Sequence, residues 1–149
     1  MYNTVLSERM FEILSAHLAD IEKEKGAIIK RFYADNAGTG MDIETFFREY
    51  TAAIDKYLKS IKVRKDGIDY CPLAIIGSTV EVQDTSDMDT YSYHIVLPYT
   101  RESSNEMSHA SCLSPLGRAL LLKTAGSRVS VQTPAGLLNY EVMSIERVG

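Results

Sequence analysis

At 149 residues with 45% hydrophobic content, the chain is long enough to bury a core without disulfides or structural metals, as one domain or two small ones. A formal charge of -4 removes the general attraction to phosphate backbones on which binders of free nucleic acid rely, so the composition favours a protein partner. The two cysteines, Cys71 and Cys112, lack the C-x-x-C spacing of zinc and redox sites, and neither a signal peptide nor a run of roughly 18 apolar residues is present. A cytoplasmic, reducing setting without membrane contact is expected.

From Ser7 to about Ala34, Met10, Leu14, Leu18, Ile21, Ile28 and Phe32 recur at three- and four-residue steps, which predicts one helix face interrupted only by Lys25. At roughly 1.5 Å per residue such a helix is on the order of 40 Å long. After a glycine-bearing loop, Ile43, Phe47, Tyr50, Ile54, Tyr57 and Ile61 follow a 4-3-4-3-4 spacing, a heptad seam. Each seam is narrow and flanked by charge, so the two are expected to face each other in an antiparallel hairpin turning near Gly38. That hairpin would oppose Phe32 to Phe46 or Phe47, Ile28 to Tyr50, Ile21 to Tyr57 and Leu14 to Ile61.

The loop stretch "DNAGTGMDIET", residues 35 to 45, carries three carboxylates, Asp35, Asp42 and Glu44. Asp42 suits a helix N-cap, Met41 and Phe46 suit the two sides of a hydrophobic staple, and Glu44 lies in the first turn, where the helix dipole favours a negative charge. Helix initiation alone explains both acids. A loop that brought Asp35 and Asp42 together would equally supply the one or two carboxylates that Mg²⁺ takes. The glycines of "NAGTG" lack the following Lys-Ser/Thr of a phosphate loop, and His17, His94 and His109 show no metal spacing.

Past the second helix, "KVRKDGIDYCP" ends the heptad and opens a linker, with Lys59, Lys62, Arg64 and Lys65 forming a basic face. A domain boundary between residues 68 and 69 is expected. The period then changes to two: residues 78 to 83, 90 to 97, 128 to 133 and 138 to 146 predict strands, the last two joined by the short connection "TPAG". The long polar stretch 98 to 111 is expected simply to connect strands. Ser114 as N-cap, Pro115 at the first helical position and a continuation through Lys123 to a stop at Gly126 predict a single helix. The second half is therefore expected to be a small antiparallel β-sheet with one covering helix, and the whole an α+β chain.

Three segments in order behind the hairpin, "GSTVEV" (77 to 82), "SPLGRALL" (114 to 121) and "TPAGLLNYEVMSI" (133 to 145), closely resemble the GreA/GreB transcription elongation factors of bacteria over about residues 74 to 147. The resemblance implies an N-terminal coiled coil of residues 1 to 68 and an FKBP-like C-terminal domain of residues 69 to 149. It implies no enzymatic activity of its own, but regulation of transcription through RNA polymerase, whose secondary channel the coiled coil enters while the globular domain docks at the rim. Docking in the family uses the start of the C-terminal helix, which corresponds to Leu113, Ser114, Pro115, Leu116 and Arg118, with Leu113 where the family often has Asn or Asp. The tip acids would be Asp35, Asp42 and Glu44. Any Mg²⁺ would belong to the polymerase active site, shared through Asp42 and Glu44, with no intrinsic cofactor.

The family's tip places Asp and Glu three residues apart, whereas Asp42 and Glu44 stand two apart. Both a cleavage-stimulating factor and a channel-occupying competitor remain compatible with this tip. Contact with nascent RNA and DNA would be indirect, the basic face being expected to be solvated with direct DNA binding there as the lesser alternative, and the protein would be a monomer. Two further readings are an FKBP-like prolyl isomerase, which would need an aromatic-lined pocket from a half that contains tyrosines but no Phe or Trp, and a homodimerising interaction module.

Overall fold

The computed structural model describes residues 5–35, 42–98 and 108–147. The chain divides into two compact units, Met1–Tyr70 and Cys71–Gly149. In the first, β1 (Val5–Leu6) leads into α1 (Glu8–Asp35), and α2 (Ile43–Ser60) leads into β2 (Lys62–Val63). The expected turn at Gly38 and the Met41 half of the staple lie outside the described residues.

The α2 seam is buried as its spacing requires, at Ile43, Phe47, Tyr50, Ile54 and Tyr57. Ile61, expected as its last member, is instead the extended C-cap, and its N–H returns to the Tyr57 carbonyl. On α1 the buried positions are Met10, Leu14, His17, Ile21 and Phe32, so His17 takes the place expected for Leu18. His17 continues the 4-3-4 step from Met10 and Leu14, and its polar ring is accommodated because Nε2 lies 2.8 Å from the Tyr50 hydroxyl. The expected pairing of Tyr50 with Ile28 is thereby corrected by about three helical turns. Beyond Ile21 the buried line on α1 lapses until Phe32, and Lys25 bonds Glu22 at 2.9 Å across the gap. Between Ile21 and Phe32, the side chains of Lys25, Ile28 and Ile29 are half-buried.

The base of this hairpin is closed by an element that carries no periodic signal. Strands β1 and β2 pair in parallel, Val5 with Lys62 and Leu6 with Val63. The ladder is prolonged by Ile68, which donates to the Val5 carbonyl at 2.7 Å and accepts from the Ser7 N–H at 2.9 Å. Ser7 also starts α1, its hydroxyl accepting from Met10 N and donating to Asp69. Arg9 grips the same Asp69 carboxylate with Nε at 3.0 and 3.1 Å and its carbonyl with Nη2 at 3.0 Å. The approach requires Gly67, because a Cβ there would sit 2.4 Å from the Leu6 carbonyl. Residues far apart in sequence are therefore clasped where the two helices begin and end.

The second unit contains β3 (Ser78–Asp84), β4 (Thr90–Val96), β5 (Ser108–Ser111), α3 (Pro115–Leu120), β6 (Arg128–Thr133) and β7 (Gly136–Arg147). They form one sheet of order β5-β4-β3-β7-β6. Three of the pairings are antiparallel, but β4 and β5 run parallel, so the sheet is mostly rather than wholly antiparallel. Strand β5 lies within the stretch expected only to connect. Along β3, Ser78, Val80, Val82 and Asp84 alternate inward, and with Ile95, Leu120, Val131 and Val142 they make a core. Full burial of each such aliphatic side chain is worth about 1.5–3 kcal/mol.

Helix α3 stops at Leu120, three residues before the expected end. Leu122 leaves the helix with φ of 66°, a left-handed conformation held by its N–H to the Ala74 carbonyl at 2.6 Å, and Lys123 returns a bond by accepting from Ala74 N. A long-range pairing has overridden local helical preference.

Candidate functional site

The end of the hairpin assembles from the last turn of α1 and the first turn of α2. The Asp42 carboxylate accepts the Thr45 N–H at 3.0 Å on one oxygen and the Thr45 hydroxyl on the other. Arg48 in turn donates to that hydroxyl at 3.1 Å. Spaced three apart, these residues share a helix face, and the Thr45 hydroxyl and N–H hold the Asp42 carboxyl below the usual carboxylate range. Asp42 is a working N-cap. Glu44 is exposed in the first turn, and Asp35 is directed back along its own helix, 3.7 Å from Arg31.

Tyr33 joins these acids at the tip, although the sequence offers no periodic signal for an exposed aromatic. It is 44% exposed, and its hydroxyl is pushed above its ordinary range, first by partial desolvation and then by the negative charge of Glu44 and Asp42. Thus Tyr33, Asp42 and Glu44 are brought within electrostatic reach of one another. No group of three or more His, Cys, Asp or Glu suited to a metal occurs among the described residues.

In the second unit, Ser114 caps α3, accepting from the Gly117 N–H at 3.0 Å and donating to the Ser111 carbonyl at 2.7 Å. Gly117 is needed because a Cβ would lie 2.0 Å from that same Ser111 carbonyl oxygen. The "SPLG" sequence therefore has a local physical cause: a cap, a proline whose missing N–H costs nothing at the first position, and a glycine under which β5 passes. Pro115 and Arg118 are exposed, Ser114 and Leu116 half-buried, and Leu113 is only 8% exposed. Leu113 therefore belongs to the core beneath the helix start and offers no face to a partner.

The basic residues behave as a solvated face. Lys59 pairs with Asp55 at 2.9 Å one turn away, while Lys62, Arg64 and Lys65 are exposed along β2 and the turn that follows. On the sheet, Tyr91, Tyr93 and Tyr140 pack on one another with ring centres 6.3 to 6.4 Å apart. A concavity near them is lined by Thr85, Arg128, Val129, Ser130, Asn139 and Tyr140, with one aromatic and one aliphatic among four polar side chains, unlike the aromatic-lined pocket a prolyl isomerase requires.

The hairpin thus carries a capped acid at its tip, and the sheet unit a tightly built Ser-Pro helix start. The family model described as "Transcription elongation factor, GreA/GreB, C-term" matches residues 73–147, just over half of the chain. The chain belongs to the GreA/GreB family. It is 46% identical over 72 residues to the transcription elongation factor GreA of Syntrophobacter fumaroxidans, covering 48% of this chain and 45% of that protein. It is 28% identical to GreA of Desulfovibrio desulfuricans over 100% of this chain and 97% of that one. The first of these alignments thus spans about half of the relative's length. Among solved structures, a GreA/GreB factor from Nitrosomonas europaea is 18% identical with a TM-score of 0.49, covering 98% of this chain and 99% of that one. Gfh1 of Thermus aquaticus is 22% identical with a TM-score of 0.44, covering 97% and 99%. No helix among the described residues is long and apolar enough to cross a membrane.

Proposed function

We propose that this protein binds bacterial RNA polymerase, inserts its helical hairpin into the secondary channel and modulates paused or backtracked complexes chiefly by occupying that channel. Its membership of the GreA/GreB family supports the partner. Helix α1, at 28 residues, is roughly 40 Å long, enough to carry a few side chains into a narrow passage. The start of α3, with Ser114, Pro115, Leu116 and Arg118, is the docking element.

The observation that favours occupancy over transcript cleavage is the service of Asp42 as the N-cap of α2, each carboxylate oxygen accepting one bond from Thr45, while Glu44 stands two residues away rather than the three of the family's tip. An acid engaged in this way is fixed in its cap geometry, so a cation would meet only its remaining lone pairs and the exposed Glu44. Any Mg²⁺ near the tip would be held by the polymerase, and contact with nascent RNA would be indirect.

Two measurements test the reading. Core RNA polymerase should retain the protein in a pull-down, and failure to do so rejects the partner. With stalled, backtracked complexes, saturating protein should protect or re-pace the transcript without Mg²⁺-dependent shortening. Because Asn caps a helix about as well as Asp, Asp42→Asn should keep both fold and effect, whereas Asp42→Ala lowers the melting temperature of the hairpin. Efficient shortening by the wild type that Asp42→Asn abolishes would establish the cleavage-stimulating alternative instead.

A further inference from the structure

The core face of the sheet is covered unevenly. Along β4 the side chains on that face grade from Ile95, at 0% exposure, through half-buried Tyr93 to Tyr91, at 40%. Their cross-strand partners on β3 are Val80 for Tyr93 and Val82 for Tyr91, both fully buried, while Tyr140 stands opposite Asp84 on β3 and Val129 on β6. The three tyrosines therefore share the face that makes the core, at its open end beside the turn from β3 to β4. Tyr91 and Tyr93 lie within 27° of parallel, and Tyr140 meets them at 74° and 64°. Nothing in the proposed docking or channel-filling role uses this surface.

The charge beside the rings is of one sign. Asp84 and Asp89 bracket the turn, the Asp84 N–H donating to the Asp89 carbonyl at 2.8 Å, and Asp87 lies between them. First Asp87, then partial desolvation, Asp89 and Asp84 push the Tyr91 hydroxyl above its ordinary range, so all three carboxylates act on this ring. The neighbouring positions on the same face, Val80, Val82, Val129 and Val142, carry no charge to offset them. Arg128 belongs to the opposite face, 3.7 Å from its strand partner Glu141. Met88, 62% exposed in the turn, adds apolar surface between Asp87 and Asp89.

The complement of such a surface is a cation with flat, weakly hydrated faces. A guanidinium stacks on an aromatic ring while its edge pairs with carboxylates, and its methylene stem packs on apolar atoms; an ammonium is more strongly hydrated and lacks the planar fork. Phosphate groups are repelled by the same three acids. We propose that the tyrosine end of the sheet is a docking surface for an arginine-bearing basic segment of a protein partner, the guanidinium lying on Tyr91 beside Asp87 and Asp89. This inference rests on the sheet alone and not on the polymerase reading.

The test is a titration of the full-length protein with a short capped arginine peptide, followed in ¹H–¹³C spectra of the tyrosine rings. The same peptide carrying lysine, citrulline or glutamate runs beside it. The arginine peptide should move the Tyr91 and Tyr93 signals, lysine should do so less, and citrulline and glutamate should leave them in place. Binding should weaken as salt is raised. Tyr91→Ala should weaken it by roughly fivefold to thirtyfold, the range a partly desolvated cation–π contact spans. Joint replacement of Asp87 and Asp89 by Asn should also weaken it, with the turn kept because Asn can still accept the Asp89 N–H bond that Asp87 takes at 2.9 Å. Rings unmoved by millimolar arginine peptide overturn the proposal, as does an equal response to citrulline or an equal shift at Tyr70, which is 64% exposed away from these acids. Ring signals that move on dilution without peptide assign the face to a second copy of the chain and overturn it too. Should Tyr91→Ala fail to fold by circular dichroism, the wild-type comparison of arginine with citrulline decides.

Discussion

Replacing Tyr50 by Phe removes one hydroxyl from the interior of the hairpin and leaves the rest of the seam in place. Tyr50 is 3% exposed and its partner His17 6%, so the bond of 2.8 Å between them is shielded from water. Withdrawing one member of a buried polar pair costs about 1–3 kcal/mol, because the remaining group stays desolvated without that contact. For a unit of the size of Met1–Tyr70, each kcal/mol lowers the melting temperature by about 4–8 °C, so Tyr50→Phe should lower that of the helical signal by roughly 10 °C. His17→Leu with Tyr50→Phe should recover most of the loss, since two apolar groups of similar shape leave nothing polar buried. The assay is thermal melting by far-ultraviolet circular dichroism across the double-mutant cycle. Strictly additive losses would refute the reasoning by showing that the two side chains do not depend on each other.

Three further outcomes are expected. Gly117→Ala should destabilise the sheet unit by about 1–3 kcal/mol, as overpacking does, because the added methyl meets backbone rather than a movable side chain; near-neutral melting behaviour would refute the close approach. Asp69 is held below its ordinary range by Arg9 and then by Ser7, and Asp42 by Thr45. Their contribution is therefore complete above the unfolded value of about 3.9 and is lost as pH falls through the lower folded values. Acid melting of the hairpin should begin below about pH 4 and should flatten in Asp69→Asn. Burial pushes the Cys112 thiol up to about 12, so in the native protein it should resist thiol reagents at pH 8 and react once denaturant is added.

The large helices and most strands are legible in the chain because apolar periodicity is a local record of burial. The remaining features are set by distant contacts. An aliphatic pattern selects Leu18 on α1, yet His17 keeps the 4-3-4 step and is the residue that meets Tyr50. The end of α3 is hidden because "LLKTA" has good helical preference, and only Ala74, far back in the chain, draws Leu122 out of the helix. Strand β5, "SHAS", has no aliphatic run and pairs in parallel, a geometry that no adjacent turn signals. The β1–β2 clasp consists of two-residue strands, too short to show any period. At the tip, the cap role of Asp42 is legible from its residue type and position, whereas the nearby Tyr33 is not.

The tip shows how two demands can fall on the same atoms. A helix that begins next to a loop must satisfy its first N–H groups, and Asp does so only by committing carboxylate lone pairs. Here Thr45 takes both oxygens, through its N–H and its hydroxyl, and Arg48 braces that hydroxyl from the next turn. The negative charge persists, because the same bonds favour the ionised form, and the lone pairs that remain are held in the orientation the cap dictates. Among the described residues, a tip arranged in this way presents the charge of the exposed Glu44 beside that of an Asp42 fixed by its own helix. Under the proposed function, such a tip would repel, steer or occlude inside a channel, with its acids oriented by the start of a helix rather than by a bound ion.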